Sequence, residues 1–310
     1  MIWSNFDIFA QFESKGSNVL TLHAHAKINL GLRITGILPN GYHAIHSLFL
    51  PIRGLFDVLT FKLHDESIEF IDNSSLQIPA GNNLVVRAAN ALRQYTGTKQ
   101  GAIIHLDKSI PAGAGMGGGS SDAACTLRGL CQLWNIEISN EELLSLALSL
   151  GSDIPFFLQD QPAIVEGQGE IIQPIQLELY GWLLIIMPGL HIGTTWAYAQ
   201  VHEFAPIGFT RFDSLIHEGI INLTNSSIVN DFESPIHAIY PELAKIKQYL
   251  IDAGAELALM SGSGSTMYGI FTSKEQAEHA QYWYSSNTSY STILLPLHET
   301  MNATSNGSIT

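Results

Sequence analysis

The order of strand-like and helix-like segments predicts an α+β protein, and three observations carry that reading. Four strand-like segments between residues 19 and 63 precede any helical pattern. The helical pattern behind a glycine-rich stretch near residue 115 runs into a second helix rather than a parallel strand. A helix, a strand, a second glycine-rich turn, a strand, a helix and a last strand then follow one another between residues 241 and 295. No internal repeat and no low-complexity linker interrupts the chain. Its 310 residues make room for about two domains, divided as an irregular extension over 1–17, an N-terminal domain over 18–170, a C-terminal domain over 171–298 and a polar tail over 299–310.

Each element has a local reason. Val19–His25, Lys27–Ile37, Tyr42–Ile52 and Asp57–Leu63 read as strands, with turns at Pro39-Asn40-Gly41 and Arg53-Gly54. A helix is expected over Leu84–Tyr95 and a strand over Ala102–Leu106. Behind the glycine-rich stretch Ala123, Ala124, Leu127, Leu130, Cys131 and Trp134 recur at helical spacing. The next helix opens on a capping box, Ser139 to Glu142, and stops at Gly151. Ile154–Phe157 reads as an apolar, strand-like run, and Ala163–Glu166 and Trp182–Met187 read as strands. Pro241 starts a helix with Leu243, Ile246 and Leu250 on one face. Leu257–Met260 and Met267–Phe271 flank the turn Ser261–Ser265, a helix capped by Ser273 and Gln276 follows, and Thr292–Leu295 closes the series.

The bulk numbers restrict function. The formal net charge of −14, from 28 acidic and 14 basic residues, has the wrong sign for a general nucleic-acid binder. It also repels an anionic substrate at long range, so a phosphate site must rest on a few local cations and backbone amides. No apolar run reaches the roughly 18 residues of a membrane span. The start, Met1-Ile-Trp-Ser-Asn-Phe-Asp, lacks the basic and apolar regions of a secretory signal, so the six Asn-x-Ser/Thr triplets read as a by-product of composition. Cys125 and Cys131 fall on one helix, separated by a rise of about 9 Å that is too large for a disulfide. A cytoplasmic protein with free thiols is expected.

The most informative stretch is Pro111, Ala112, Gly113, Ala114, Gly115, Met116, Gly117, Gly118, Gly119, Ser120 and Ser121, followed by Asp122. A strand leads in and a helix leads out. Small residues leave backbone N–H groups uncovered, and the helix N-terminus adds unpaired donors and a positive dipole end, which together suit a phosphate. Gly113-x-Gly115-x-x-Gly118 satisfies a dinucleotide fingerprint in letters, but no second parallel strand carries the required acid. A Walker loop needs a lysine after the glycines, and none follows.

This loop resembles the ATP-binding loop of the GHMP small-molecule kinases. Three more blocks resemble one branch of them, the 4-diphosphocytidyl-2-C-methyl-D-erythritol kinases of non-mevalonate isoprenoid synthesis. These are Ala26-Lys27-Ile28-Asn29-Leu30 with Gly41-Tyr42-His43-Ala44-Ile45, then Gly151-Ser152-Asp153-Ile154-Pro155, then Ser261-Gly262-Ser263-Gly264-Ser265. The resemblance runs from about Val19 to His298 and is thin over 203–230. It implies the two-domain GHMP fold, with an N-terminal domain like the second domain of ribosomal protein S5 and a ferredoxin-like C-terminal domain. It implies ATP as phosphoryl donor with Mg²⁺, a small substrate carrying a cytidine diphosphate group, and no nucleic-acid or membrane partner.

The resemblance also implies roles for single residues. Asp153 becomes the base that takes a proton from the acceptor hydroxyl, where a lone loop Asp would ordinarily satisfy nearby amides. Lys27 lies beside it and stabilises charge on the transferring phosphoryl group, where a strand lysine would ordinarily be a solvated edge residue. Asn29, Tyr42 and His43 bind substrate, the last two at the cytosine ring, and Tyr198 closes the ring's other face, with Trp196 the competing candidate and core packing open for both. Ser120 and Ser121 reach phosphate or Mg²⁺, or cap the helix. Lys108 is either a phosphate contact or solvated. The protein ligands of the metal stay open, and His23 with His25 lack a third ligand for a metal of their own. Two other readings stand beside this one: a GHMP kinase of homoserine or mevalonate type, and a catalytically silent nucleotide-binding protein.

Overall fold

In the computed structural model residues 19–74 and 80–298 are described; the expected extension and polar tail lie outside them. The chain starts with two long antiparallel strands, β1 (Val19–Ile37) and β2 (His43–His64). They replace the four strands expected. The register jumps from His25 opposite Phe56 to Ala26 opposite Ile52, so Arg53-Gly54 belongs to a bulge inside β2 and not to a turn. A Cβ on Gly54 would lie 2.8 Å from the Leu295 side chain, so the bulge is where another strand comes close.

β3 (Ile68–Asp72), too short to stand out in the sequence, pairs in parallel with β4 (Gly101–Asp107). Between them lies α1 (Leu84–Thr96), capped by the Asn83 side chain and closed by Gly97 in the left-handed region. The glycine-rich stretch leads to α2 (Gly118–Leu133), then α3 (Asn140–Leu150) with its Ser139–Glu142 capping box, as expected. The strand-like run after Asp153 is instead a short helix, α4 (Ile154–Gln159). Pro155 in its first turn presets the helical φ, and five of its six residues are buried, a pattern that length and polarity alone do not assign. β5 (Ala163–Gly167) and β6 (Ile171–Pro174) complete a six-stranded sheet in which β2 is central. Its last strand lies just past residue 170, where the division between domains was expected.

The second half supplies β7 (Trp182–Met187), α5 (Thr194–Ala199), a two-residue hairpin of β8 (Ile216–His217) and β9 (Ile220–Ile221), α6 (Glu233–Ile239), α7 (Pro241–Asp252), β10 (Leu257–Met260), β11 (Met267–Phe271), α8 (Lys274–Asn287) and β12 (Ser291–Pro296). Its main sheet is antiparallel, in the order β10-β11-β7-β12. The core forms three layers. One lies between the first sheet and α1–α4, one between the two sheets, and one between the second sheet and α6–α8.

Alternation along β1 positions the site. Ala26, Ile28 and Leu30 join the core between the sheets, so Lys27 and Asn29 turn to the opposite face. Among the described residues no helix is long and apolar enough to cross a membrane.

Candidate active site

The loop from Pro111 to Ser121 links β4 to α2 and is held from three sides. The Met116 carbonyl accepts the Lys27 N–H at 3.0 Å, the Gly115 carbonyl accepts the Ser261 hydroxyl at 2.9 Å, and the Ala114 carbonyl accepts the Thr266 N–H at 3.3 Å. The two glycine-rich segments thus pack on each other. A Cβ on Gly115, whose φ is +76°, would lie 2.0 Å from the Ser261 carbonyl oxygen.

The carbonyls are therefore engaged while the donors ahead of α2 are not capped. Gly117 is the N-cap and offers no side chain, so the first-turn N–H groups of α2 have no side-chain acceptor. Ser120 and Ser121 lie inside the first turn and do not cap it. Ser120 is half-buried, whereas buried Ser121 lines a small polar cavity with His25, Arg128 and Asp160, away from the loop's open side. Beside the open side is a cavity of about 160 Å³, lined among others by Asn82, Leu84, Val85, Leu106, Lys108 and Gly119.

Lys27 is buried, with 4% of its surface exposed. Its Nζ donates to Asn29 Oδ1 at 2.6 Å and lies 4.4 Å from the centre of the Phe49 ring. Asn29 Nδ2 donates to Ser47 Oγ at 2.9 Å, and Ser47 Oγ donates to the Gly31 carbonyl at 2.6 Å, which fixes the amide with its oxygen toward the lysine. Burial pulls the Lys27 ammonium below the ordinary lysine range, and the charge of Asp153 works against that shift. Asp153 sits half-buried between α3 and α4, and its carboxylate makes no capping bond to α4. The ordinary role of a loop aspartate is thus not the one it takes at this helix.

The same carboxylate, after burial, is what raises the pKa of Tyr198, so Lys27, Asp153 and Tyr198 share one electrostatic neighbourhood. His43 and Tyr198 stack directly, with ring centres 4.6 Å apart and planes 19° apart. No third ring fits between them: Tyr198 backs His43 instead of facing it across a gap. Phe232 supports Tyr198 edge-on at 4.8 Å. Trp196 packs on Tyr240 and is 40% exposed, so Tyr198 and not Trp196 joins His43. Tyr42 is 64% exposed at the hairpin tip.

Two further residues, Asp57 and Asn230, were not legible as functional, and Lys108 takes neither of the two places expected for it on sequence. Lys108 is not solvated: its Nζ bonds Asp57 at 2.5 Å and Asp122 at 2.8 Å. Asp57 is fully buried in β2, and its signal was an acid inside the apolar run Leu55–Leu59. Asn230 donates to the carbonyls of Met260 and Gly262 at 2.7 and 2.8 Å, anchoring the second glycine-rich turn. His25 pairs with Asp160 at 3.1 Å and His23 stacks on Phe56 at 4.0 Å, and among the described residues no group of three or more His, Cys, Asp or Glu is placed to hold a metal.

Comparison with known proteins gives the family. Residues 83–168 match the GHMP kinases N terminal domain and residues 215–283 match the GHMP kinases C terminal domain. The 4-diphosphocytidyl-2-C-methyl-D-erythritol kinase of Thermodesulfovibrio yellowstonii is 40% identical over 269 residues, covering 84% of this chain and 93% of that protein. Its counterpart in Prosthecochloris aestuarii is 39% identical over 266 residues, covering 84% and 92%. The crystal structure of a 4-(cytidine 5'-diphospho)-2C-methyl-D-erythritol kinase superposes with a TM-score of 0.74 at 32% identity, covering 89% of this chain and 99% of that one. The fold is accordingly the α+β GHMP kinase fold, and the chain belongs to the 4-diphosphocytidyl-2-C-methyl-D-erythritol kinase family of GHMP kinases.

Proposed function

We propose that this chain transfers the γ-phosphoryl group of ATP to the 2-hydroxyl of 4-diphosphocytidyl-2-C-methyl-D-erythritol, a cytoplasmic step of non-mevalonate isoprenoid synthesis. The observation that carries the reading is the position of Lys27. It is buried, within the field of Asp153, and bonded through its backbone to a glycine-rich loop that leads to an uncapped helix start.

Asp153 takes the proton of the acceptor hydroxyl as its oxygen attacks the γ-phosphorus. The new O–P bond forms as the bond to the bridging β,γ-oxygen breaks, and ADP leaves. Lys27, fixed by Asn29, stabilises the charge gathered on the transferring group. The first-turn N–H groups of α2 hold the phosphates, and the neighbouring cavity takes the nucleoside. His43, backed by Tyr198 and joined by Tyr42, offers an aromatic surface and a ring N–H to cytosine. The magnesium ion arrives with the nucleotide in this reading, since among the described residues no group of three or more His, Cys, Asp or Glu is placed to hold a resident one. When bound, that ion neutralises phosphate charge, and the Ser120 hydroxyl is the side chain that would hold it from the protein.

ADP release with Mg·ATP tests this, using the cytidine substrate beside homoserine, mevalonate and galactose, for wild type and Asp153→Asn. Turnover is expected with the cytidine substrate only, with kcat reduced by about 10²–10⁴ in the variant. Turnover with another alcohol, or an active Asp153→Asn enzyme, would overturn the substrate or the base respectively.

A further inference from the structure

Asp57 sits where a charge is costly. It is fully buried in the middle of β2, and a carboxylate there needs matched donors. It has three. Oδ1 accepts the backbone N–H groups of Ser109 at 2.6 Å and Ile110 at 2.8 Å, and Oδ2 accepts the Lys108 ammonium at 2.5 Å.

The same ammonium donates to Asp122 Oδ2 at 2.8 Å. Asp122 lies in α2 just past its first turn, and its Oδ1 is buried without a hydrogen-bond partner. Residues 108–110 come just before the glycine-rich loop and Asp122 just after it. The Asp57 carboxylate therefore holds the leading end of the loop directly, through the Ser109 and Ile110 N–H groups, and the trailing end through the Lys108 ammonium and Asp122.

Charge supports the tether reading over a direct role for Lys108. Burial pushes the Asp122 carboxyl up toward its neutral form. Burial also opposes the Lys108 charge, but the charges of Asp122 and Asp57 outweigh it and keep the ammonium protonated. Its charge is thus matched by Asp57, and little is left for a ligand at a distance.

We propose that Asp57 is a positioning residue for the phosphate loop: directly at residues 109 and 110, and through Lys108 at Asp122, it holds both ends of the loop so that the open N–H groups of α2 meet the phosphates of ATP. The proposal rests on the kinase reading above. It distinguishes itself from a purely structural role because the tether touches the nucleotide side of the cleft and not the His43–Tyr198 side. Losing it should weaken one substrate and spare the other.

The test uses the full chain as wild type, Asp57→Asn, Lys108→Met and the double variant. Affinity for a non-hydrolysable ATP analogue with Mg²⁺ is measured directly, together with KM for both substrates. Each single variant should weaken nucleotide binding and raise the ATP KM by about tenfold or more, with the acceptor KM changed less than about twofold. The double variant should lose less than the sum of the two single losses, because the bridge from Asp57 to Asp122 needs both residues. An ATP KM within twofold of wild type, equal rises in both KM values, or additive losses would each overturn the proposal. Should Asp57→Asn not fold, Lys108→Met decides alone: Asp57 then keeps its two backbone donors, and the Asp122 carboxyl, already pushed up by burial, can take a proton. A wild type without turnover would reject the kinase reading, while the analogue affinities would still decide the tether.

Discussion

Lys27 and Asn29 stand on the same face of β1, and the lysine Nζ reaches the amide oxygen at 2.6 Å. This is a buried cation whose direction is set by a neutral side chain that is itself locked by Ser47. Such an arrangement keeps a charge in place without cancelling it, which a carboxylate partner at the same distance would do. Lys27→Met is expected to lower kcat by about 10²–10³ with smaller changes in either KM. Because burial holds the Lys27 pKa below the ordinary 10.5, the charge is lost as pH rises through that lowered value, and the alkaline fall in kcat should begin below 10.5. A pH–rate profile checks both, since the methionine variant should lose that limb.

The stack of His43 on Tyr198 makes a prediction that separates ring from hydroxyl. Tyr198→Phe keeps the 4.6 Å contact and should leave the KM for the cytidine substrate within about twofold. Tyr198→Ala removes the surface behind His43, and an aromatic pair worth about 0.5–1.5 kcal/mol corresponds to a KM rise of roughly 2- to 12-fold. The ATP KM should not follow. Steady-state kinetics on the two variants would reject the role of Tyr198 if the alanine form kept the wild-type acceptor KM.

His46 links pH to the segment that crosses the β1–β2 hairpin. The Phe212 N–H donates to His46 Nε2 at 3.0 Å, so that nitrogen carries no proton, and the Nδ1 proton faces Glu166 Oε1 at 3.2 Å. The ring must stay neutral, and burial lowers its pKa below 6.5 despite Glu166 and Asp213. The unfolded chain then binds the extra proton first. Stability is complete above pH 6.5 and falls as pH drops through the folded value. Burial pushes His237 in the same direction, to about 4. Melting temperature should therefore decline between pH 7 and pH 4. His46→Phe should be less stable at pH 8 by about 1–3 kcal/mol, the cost of an unaccepted Phe212 N–H, and should lose less on acidification.

The sequence disclosed the chemistry better than its support. Lys27, Asp153 and the glycine-rich loop sit in local motifs, and the structure brings them together: the Lys27 N–H bonds the Met116 carbonyl and its ammonium feels the charge of Asp153. Asp57 and Asn230 are single polar residues in apolar surroundings, and their partners lie about 50 and 30 residues further along the chain; no local pattern carries that information. The apolar run after Asp153 was ambiguous because strand and buried helix share that signature over six residues. The bulge at Arg53-Gly54 reads as a turn because a glycine marks either in a sequence; here its missing side chain leaves room for Leu295, far along the chain. The choice between Trp196 and Tyr198 depended on which face of α5 meets His43, and α5 itself had no clear periodicity.

Two glycines of the loop should answer substitution in opposite ways, and the contrast separates packing from ligand binding. At Gly115 a methyl group would meet the Ser261 carbonyl oxygen at 2.0 Å, at a backbone φ of +76°. The left-handed conformation alone costs a non-glycine residue about 1–2 kcal/mol, and a backbone oxygen cannot step aside as a flexible side chain would. Gly115→Ala should lower the melting temperature and loosen the contact between the two glycine-rich segments. At Gly119 the nearest atom to an added Cβ is Leu84 Cδ1 at 3.6 Å, an ordinary contact, and the residue is already helical. The fold should accept Gly119→Ala with no loss, or gain up to about 1 kcal/mol. Yet Gly119 is exposed, in the uncapped first turn of α2 and on the wall of the adjoining cavity. A methyl group there stands where a phosphate must approach the N–H groups. The ATP KM should rise about tenfold or more in a protein that melts no earlier than wild type. A Gly119→Ala enzyme with unchanged nucleotide affinity would move the phosphates away from the start of α2.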